Sequence, residues 1–407
     1  MSLLPVEEAL ARVLAGIARP VAAETVAIAA AHGRTLAVDV AARRTQPPFA
    51  ASAMDGYAVR SGDVAAVPAR LAVIGRSVAG AGFAGAVGPM QAVRIFTGAP
   101  VPAGADAVAT QEDADGDGDD VIVRANVAPG KNIRAAGLDF RQGDLLIAAG
   151  QRLDARLVAL AGAGGHADLS VRRRPRVAIL ATGDELVAPG DPAGPHQIVA
   201  SNPYAVAAIA ARAGAEPLDL GIAKDTPEAL DLAIAQAREA GADMLVTLGG
   251  ASLGEADLVQ SALARHGMTL AFWRVALRPG KPLIHGRLGE MLILGLPGNP
   301  VSSVVCGILF VVPALRALVG DPRASDDPAE PAILGAGLAA NDGRQDYLRA
   351  RLDAAGEALP VATAFPVQDS SMLTTLARAD ALLVRPPHAP QARAGDPCRI
   401  IRLERFV

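Results

Sequence analysis

Apolar residues recur with helical spacing near the start of the chain and in shorter, interrupted runs after it. A helix with one apolar face is predicted over residues 5–17. From residue 45 to residue 140, β-branched runs are separated by Gly, Pro and Asp, which indicates a small β-domain. Helical spacing returns over residues 141–172, so we expect the β-domain to be inserted in a linking domain formed by residues 1–44 and 141–172.

Strands alternate with helices over residues 173–320. The predicted strands cover residues 177–181, 217–222, 244–248 and 291–294, and the predicted helices lie near 203–213, 227–240, 255–266 and 301–318. Such alternation is typical of a mostly parallel sheet with helices on both faces. Residues 321–407 begin with a linker and return to short strands, which predicts a C-terminal β-rich domain. The expected fold class is therefore α/β multidomain.

Composition narrows the class of function. The chain has 407 residues, which favours two to four domains. Its net charge is -4 and its basic residues are scattered, so we expect no nucleic-acid surface. Two cysteines, Cys306 and Cys398, are too few for a disulfide framework and fit a reducing, cytoplasmic compartment.

No membrane segment and no signal peptide are expected. The first helix has spaced apolar residues instead of a continuous apolar core. The most apolar run, Val304 to Leu315, is shorter than the ~20 residues that a spanning helix requires and contains Pro313.

Three predicted strands of the α/β section end in polar turns that contain glycine. Because the carboxyl ends of parallel strands form the ligand crevice of an open sheet, these turns should converge. A single turn of this kind is more often only a tight turn, but three at one edge favour a phosphate-binding site built from backbone N–H groups and helix N-termini. The candidates are Gly183, Asp184, Gly249, Gly250, Ser252, Gly254, Pro297, Gly298, Asn299 and Pro300, with Asn299 as N-cap.

Acidic and basic residues near the same edge suggest further chemistry. Glu185, Asp225 and Asp257 each follow a predicted strand, and clustered carboxylates favour a hard cation such as Mg²⁺ near substrate phosphates. Each acid alone could equally be a cap or a solvated residue. Arg278 and Lys281 flank a Pro-Gly turn that suits a tetrahedral oxyanion, although a solvated basic turn is the simpler alternative.

Two other patterns are set aside. Residues 113–118 match the opening of a calcium-binding EF-hand loop, but Arg124 stands where a bidentate Glu is needed, so a solvated hairpin is expected. The six histidines show neither metal-ligand spacing nor a paired nucleophile, which leaves a zinc site or a hydrolytic triad without support.

Two long motifs resemble signatures of a known family. They are Pro47-Pro48-Phe49-Ala-Ala-Ser52-Ala-Met54-Asp55-Gly56-Tyr57-Ala58 and Arg94-Ile-Phe-Thr97-Gly98-Ala-Pro100-Val-Pro102-Ala-Gly104-Ala-Asp106. With them, the whole chain resembles the molybdopterin molybdenumtransferases, bacterial relatives of the C-terminal domain of gephyrin. The three glycine turns are also found in molybdopterin adenylyltransferases and in a competence-damage-inducible family, so they indicate only a molybdopterin-binding type of α/β domain.

The resemblance implies an elongated four-domain subunit that forms a homodimer. It implies an active site between the α/β domain of one subunit and the C-terminal β-domain of the other. The implied reaction is insertion of molybdate into adenylated molybdopterin with release of AMP, assisted by Mg²⁺, as the last step of molybdenum cofactor synthesis. Transient contacts with the adenylyltransferase and with recipient molybdoenzymes would accompany it. The alternatives are an adenylyltransferase-like enzyme and a non-catalytic molybdopterin-binding scaffold.

The resemblance also implies roles for residues. The metal- and nucleotide-side acids would be Asp139, Glu185, Asp225 and Asp257. Asp55 and Thr97 of the inserted β-domain would act in catalysis with Glu185, Asp225, Asp257 and Lys281. Molybdate would be held by Arg278, Lys281, Ser302, Arg349 and Ser370. Two departures from the family pattern are Arg278, where Lys is common, and Asp369-Ser370-Ser371, which replaces a glycine-rich sequence and adds a carboxylate beside the expected oxyanion.

Overall fold

The computed structural model of the chain describes residues 3–117, 119–250, 258–353 and 359–407. Its central sheet has six strands in the order Glu216–Ala223, Arg176–Thr182, Met244–Leu248, Met291–Leu296, Pro282–Leu288 and Thr269–Arg274. The first four are parallel and the last two are joined by antiparallel pairing. These last two strands were not predicted, because the edge strand Thr269–Arg274 is largely exposed and polar residues interrupt Pro282–Leu288.

Helices cover both faces of the central sheet, as the alternation of elements predicted. Ile179 points into a core shared with Asn202–Arg212 and with the helix that begins at Pro300. Its neighbour Leu180 points into a second core under Pro227–Glu239 and Leu258–Arg265. Successive residues of a strand face opposite sides, and both sides are apolar here because both are buried.

The helix that begins at Pro300 extends to Leu318 without a break. It consists of Pro300–Cys306, a π-helical turn Gly307–Val311, and Val312–Leu318. The helix was predicted over 301–318, and it continues through Pro313 because the wide turn directly before the proline accommodates its missing N–H. By length and composition the helix could cross a membrane, yet 83% of its most apolar window is buried inside the protein, as in a core helix.

Residues before 44 and after 141 form the linking layer. Ala23–Ala27 pairs antiparallel with Asp168–Arg172, and Val40–Ala41 pairs with Leu145–Ile147. The Ala155–Ala163 helix is capped by the Asp154 side chain, which accepts from two backbone N–H groups. The first helix, Val6–Ala15, packs into the core of the central sheet, although we had grouped it with the linking domain.

The segment between these parts folds into a six-stranded inserted sheet. Its strands follow the order Ala107–Thr110, Gly56–Val59, Gln91–Ile95, Ala69–Ser77, Asp120–Val123 and Ala114–Asp117. A two-stranded pairing of Ala51–Ser52 with Ile133–Arg134 lies beside it. The segment that resembles a calcium-binding loop forms a hairpin of Ala114–Asp117 with Asp120–Val123. Asp115 pairs with Arg124, so the residue that stands in place of the calcium-binding Glu neutralises one of the acids.

The C-terminal sheet also includes a strand from the α/β section. Its order is Leu277–Arg278, Gln345–Asp353, Val361–Ala364, Glu330–Leu334, Pro397–Arg402 and Ala381–Arg385, with a further pairing between Gln345–Asp353 and Ala381–Arg385. The parallel register aligns Arg278 with Asp346. The short helix Leu373–Ala377 follows the Ser370 loop. Residues on either side of the 278–281 turn thus belong to different sheets, and this turn joins them.

Candidate active site

A cleft of about 970 Å³ lies at the carboxyl ends of the central strands. The three glycine turns converge on it together with Asp225 and the 278–281 turn. The candidates that line it are Gly183, Glu185, Asp225, Gly249, Gly250, Arg278, Lys281, Pro297, Gly298, Asn299, Pro300, Ser302 and Ser370. Ser252, Gly254 and Asp257 lie outside the described residues.

Gly249 permits the close approach of two of these turns. Its φ is +99°, and a Cβ atom there would lie 2.6 Å from the carbonyl oxygen of Thr182. Backbone cannot move aside as the end of a flexible side chain can, so a larger residue would separate the turns.

The acidic side of the cleft combines Glu185 and Asp225 with Asp184, which lies just behind the lining. The Asp184 Oδ1 accepts a 3.2 Å hydrogen bond from the backbone N–H of Asp225. Desolvation, followed by the charges of Asp184 and Glu185, raises the pKa of Asp225 above its usual value. Among the described residues, no three His, Cys, Asp or Glu side chains are grouped to hold a metal ion.

Five predicted residues of the described ranges do not line this cleft: Asp184, Arg349, Asp139, Asp55 and Thr97. Asp139 lies in a turn whose backbone N–H donates to the Gln46 carbonyl, so the structure does not place it with Glu185 and Asp225. Asp55 accepts from the Thr97 N–H at 2.7 Å and from the Thr97 hydroxyl at 2.8 Å, both on the inserted domain. The backbone hydrogen bond, then the hydroxyl, lowers the pKa of Asp55, so a charged Asp55 is stabilised by Thr97.

Arg278 lines the cleft, but its guanidinium is occupied. Its Nε donates to Asp346 Oδ1 at 2.8 Å, and its Nη2 donates to Asp346 Oδ2 and, at 3.0 Å, to Asn341 Oδ1. The fork that we assigned to an oxyanion is therefore bound to a carboxylate. Lys281 also lines the cleft, and no residue in the described ranges forms an ion pair with it, so the lysine suits an anionic ligand better.

The C-terminal domain of the same chain closes one wall of the cleft. The Ser370 hydroxyl accepts from Asn299 Nδ2 at 2.9 Å, and its carbonyl accepts from the Val301 N–H at 3.0 Å. Asn299 occupies the N-cap position as predicted, but its side chain contacts this loop instead of capping the helix. The resemblance implied the partner's C-terminal domain at the site, whereas here this domain is contributed within one subunit.

Arg349 supports this wall from behind. It is 1% exposed, does not line the cleft, and donates from Nη2 to the Asp369 carbonyl at 3.1 Å. The added carboxylate of Asp369 accepts from the Ser371 N–H and hydroxyl, and these bonds lower its pKa. The departure from the glycine-rich pattern thus stabilises the loop locally. Arg349 thus contacts the loop from outside the lining, whereas we predicted a direct oxyanion contact.

Sequence reasoning missed several polar residues of the lining, among them Asn202 and Arg344. Asn202 donates to the Gly298 carbonyl at 2.6 Å and holds one turn against a helix start. Arg344 lines the opposite side, with its guanidinium 2.9 Å from Asp342. The Ser-Asn-Pro sequence at 201–203 is a helix-start signal that could have revealed Asn202, whereas Arg344 has no sequence pattern that marks it.

Comparison with known proteins agrees with this architecture. The family model described as MoeA N-terminal region (domain I and II) matches residues 4–165, Probable molybdopterin binding domain matches 178–317, and MoeA C-terminal region (domain IV) matches 331–403. Molybdopterin molybdenumtransferase 2 of Mycobacterium tuberculosis is 36% identical over 96% of this chain and 97% of that protein. Molybdopterin molybdenumtransferase of Nostoc sp. is 41% identical over 73% of this chain and 70% of that protein.

The same relationship is found among solved structures. The crystal structure of a molybdopterin biosynthesis MoeA protein from Pyrococcus horikoshii OT3 has 28% sequence identity and a TM-score of 0.85. That likeness covers 98% of this chain and 99% of the other. The predicted α/β multidomain fold is therefore confirmed, and the chain belongs to the molybdopterin molybdenumtransferase family.

Proposed function

We propose that this protein inserts molybdate into adenylated molybdopterin and releases AMP, the final step of molybdenum cofactor synthesis. The observation that supports this most is the single cleft that combines three glycine-bearing strand ends, an acidic side and Lys281. Backbone N–H groups at strand ends and helix starts bind phosphates, and a lysine binds an oxyanion as a point charge. Full-length relatives that are named for this transfer support the same reaction.

Different groups of the cleft bind the two substrates. The helix that starts at Pro300 presents its N-terminus to a phosphate or molybdate oxygen, and Ser302 and Ser370 add hydroxyl groups. Lys281 attracts molybdate and holds it beside the dithiolene group of molybdopterin. Arg278 keeps this turn in place through Asp346, and Arg349 keeps the Ser370 loop in place.

Mg²⁺ fits the acidic side of the cleft. Glu185 and Asp225 offer hard oxygen donors, and desolvation, followed by the charges of Asp184 and Glu185, raises the pKa of Asp225, so a bound cation would stabilise its charged form. In proteins Mg²⁺ is commonly held by one or two carboxylates together with substrate phosphates. When bound, it would neutralise charge on the phosphoanhydride as AMP leaves. Asp257 belongs to the same proposed set.

We further propose that the subunits form a homodimer in which Asp55 and Thr97 of one subunit reach the cleft of the other. Within one chain these two residues do not line the cleft. Phe49 and Met54, in the same motif as Asp55, are 42% and 41% exposed, and a second subunit would cover them. The four-domain division, a soluble cytoplasmic enzyme, and transient contacts with the adenylyltransferase and recipient molybdoenzymes complete this proposal.

The decisive experiment measures AMP release by the purified protein from adenylated molybdopterin with Mg²⁺, with and without molybdate. We expect AMP release to depend on molybdate and to yield active cofactor. Consumption of ATP with free molybdopterin would instead indicate an adenylyltransferase. Tight substrate binding without AMP release would indicate a scaffold.

A further inference from the structure

A second cavity, of about 330 Å³, lies away from the cleft and shares no lining residue with it. Its walls come from the linking layer, from the ends of two helices of the α/β domain, and from the C-terminal residues. Five arginines line it: Arg152, Arg212, Arg316, Arg323 and Arg405. We call it the arginine cavity.

Carboxylates compensate only part of this positive charge. Buried Asp321 is shared by Arg316, at 3.0 Å, and Arg323, at 3.6 Å. Arg405 pairs with Glu330, which also binds Arg402. Asp321 and Glu330 therefore each neutralise one cation of a pair and leave the other charge in excess, and exposed Asp326, which also lines the cavity, offsets only part of that excess.

Arg152 and Arg212 bind backbone carbonyls instead of acids. Arg152 donates to the carbonyls of Gly33 at 3.1 Å and Arg212 at 3.0 Å. Arg212 donates to the carbonyls of Glu404 at 2.5 Å and Arg405 at 3.4 Å. Across the ranges that the structure describes, neither guanidinium has a carboxylate partner. Both use Nε and Nη2, so the Nη1 donors of the five-donor fork are left over.

Burial and the neighbouring cations destabilise the charged form of Arg152, and its pKa is lowered. Desolvation lowers its pKa first, and the charges of Arg316, Arg174 and Arg212 lower it further, against the opposing effect of Asp321. The binding of backbone carbonyls accounts for the Nε and Nη2 donors of Arg152 and Arg212. It does not explain why so many like charges surround one space, because like charges at short range destabilise the fold unless an anion joins them.

We propose that the arginine cavity binds the phosphate group of a small molecule at a site separate from the active-site cleft. Guanidinium forks match tetrahedral oxyanions in geometry and charge. The volume is at the lower end of small-molecule sites, which leaves room for a compact group beyond the phosphate. The Asn202–Arg212 helix and the Pro300–Leu318 helix both begin at the cleft and end at this cavity, so a ligand here would contact elements that also form the active site.

Inorganic phosphate is a suitable probe for this site. Calorimetric titration at constant ionic strength, with chloride as the reference anion, would measure phosphate affinity for the wild-type protein and for Arg152→Gln and Arg323→Gln separately. Because hydrogen bonds to charged groups are worth about 1.5–3 kcal/mol, we expect each variant to bind phosphate about tenfold more weakly or worse. Arg323 is 60% exposed, so its replacement leaves folding intact even if Arg152→Gln is destabilised.

Two control variants locate the binding. Arg351→Gln removes an exposed arginine of the C-terminal sheet, and Lys281→Gln removes the cation of the cleft. Phosphate affinity at the arginine cavity should survive both changes. The proposal is overturned if wild-type protein does not bind phosphate, if both cavity variants bind it as tightly as wild type, or if Lys281→Gln abolishes binding.

Discussion

Asp225 combines a functional position with an electrostatic penalty. Desolvation, Asp184 and Glu185 raise its pKa above the usual 3.8, so the folded protein takes up a proton at this carboxyl more readily than the unfolded chain does. Ionisation of Asp225 therefore destabilises the metal-free protein, and this penalty is fully present above the raised pKa and absent below the unfolded value.

We predict that Asp225→Asn raises the melting temperature slightly at pH 7–8 without Mg²⁺, and that the gain disappears below about pH 4. The same variant should reduce Mg²⁺-dependent AMP release about tenfold or more. Melting curves across pH and AMP assays at subsaturating Mg²⁺ measure the two effects. Asp219→Asn, on the strand that ends two residues before Asp225 and outside the cleft lining, should change neither. Unchanged AMP release in Asp225→Asn would remove this residue from the site.

Arg278 and Asp346 form a charge pair whose acid is almost fully buried. We predict that Arg278→Gln lowers the free energy of unfolding by about 1–2 kcal/mol, because it leaves a buried carboxylate without its partner. The double variant Arg278→Gln with Asp346→Asn should be less destabilised than the sum of the two single variants. Urea unfolding of all four proteins completes the cycle. Additive losses would mean that the Arg278 and Asp346 side chains do not interact across the two paired strands of the C-terminal sheet.

At the scale of elements, the 278–281 turn is closely packed against the helix that carries Cys306. Gly280 has φ +122°, and a Cβ atom there would lie 2.7 Å from Cys306 Sγ and 2.9 Å from Leu277 Cδ2. We predict that Gly280→Ala costs about 1–3 kcal/mol in unfolding free energy and displaces Lys281 enough to weaken molybdate binding.

Two variants separate the causes of this loss. Gly289 also has a positive φ, but a Cβ atom there would meet nothing within 4 Å, so Gly289→Ala measures backbone strain alone. Adding Cys306→Ala to Gly280→Ala removes the clashing sulfur and should recover part of the stability. No recovery, or an equal loss in Gly289→Ala, would show that contact with Cys306 is unimportant.

The elements that the sequence predicts well are those with one strong, continuous signal. The strands Arg176–Thr182 and Met244–Leu248 are almost entirely buried and mostly apolar, and both were predicted within one residue of each end. The strand Thr269–Arg274 was missed because it lies at the edge of the sheet and is largely exposed, so it shows no continuous apolar run. The apolar helix was predicted over 301–318 and ends at Leu318 as expected, but its π-helical turn Gly307–Val311 has no sequence signature.

At the scale of the whole molecule, the sequence predicts which residues follow the strand ends, but it does not predict how the domains pack against one another. Convergence of the glycine turns follows from parallel topology alone. The ion pair between Arg278 and Asp346 does not follow from that topology, because it depends on how the C-terminal sheet docks. The separation of Asp55 and Asp139 from the cleft likewise depends on the orientation of the inserted domain, which no local pattern encodes.

A test of the proposed dimer uses two inactive variants. We predict that Asp55→Ala and Lys281→Gln each abolish AMP release alone, and that co-expressed subunits regain activity. In a random mixture half of the dimers are mixed and each has one intact site, so about a quarter of wild-type activity should return. Light scattering would give the oligomeric state. Mixtures as inactive as the single variants would place Asp55 and Lys281 in the same subunit's site or in none.

The interruption of the linking layer by the inserted sheet also affects how the chain is made. Ala23–Ala27 leaves the ribosome long before its partner Asp168–Arg172, and every strand of the inserted sheet emerges between them. Domains fold as units during synthesis, so the inserted sheet can complete its pairing while Ala23–Ala27 is still without a neighbour. Arg278 must wait in the same way for Asp346. The wall of the cleft is therefore among the last parts of the nascent protein to form.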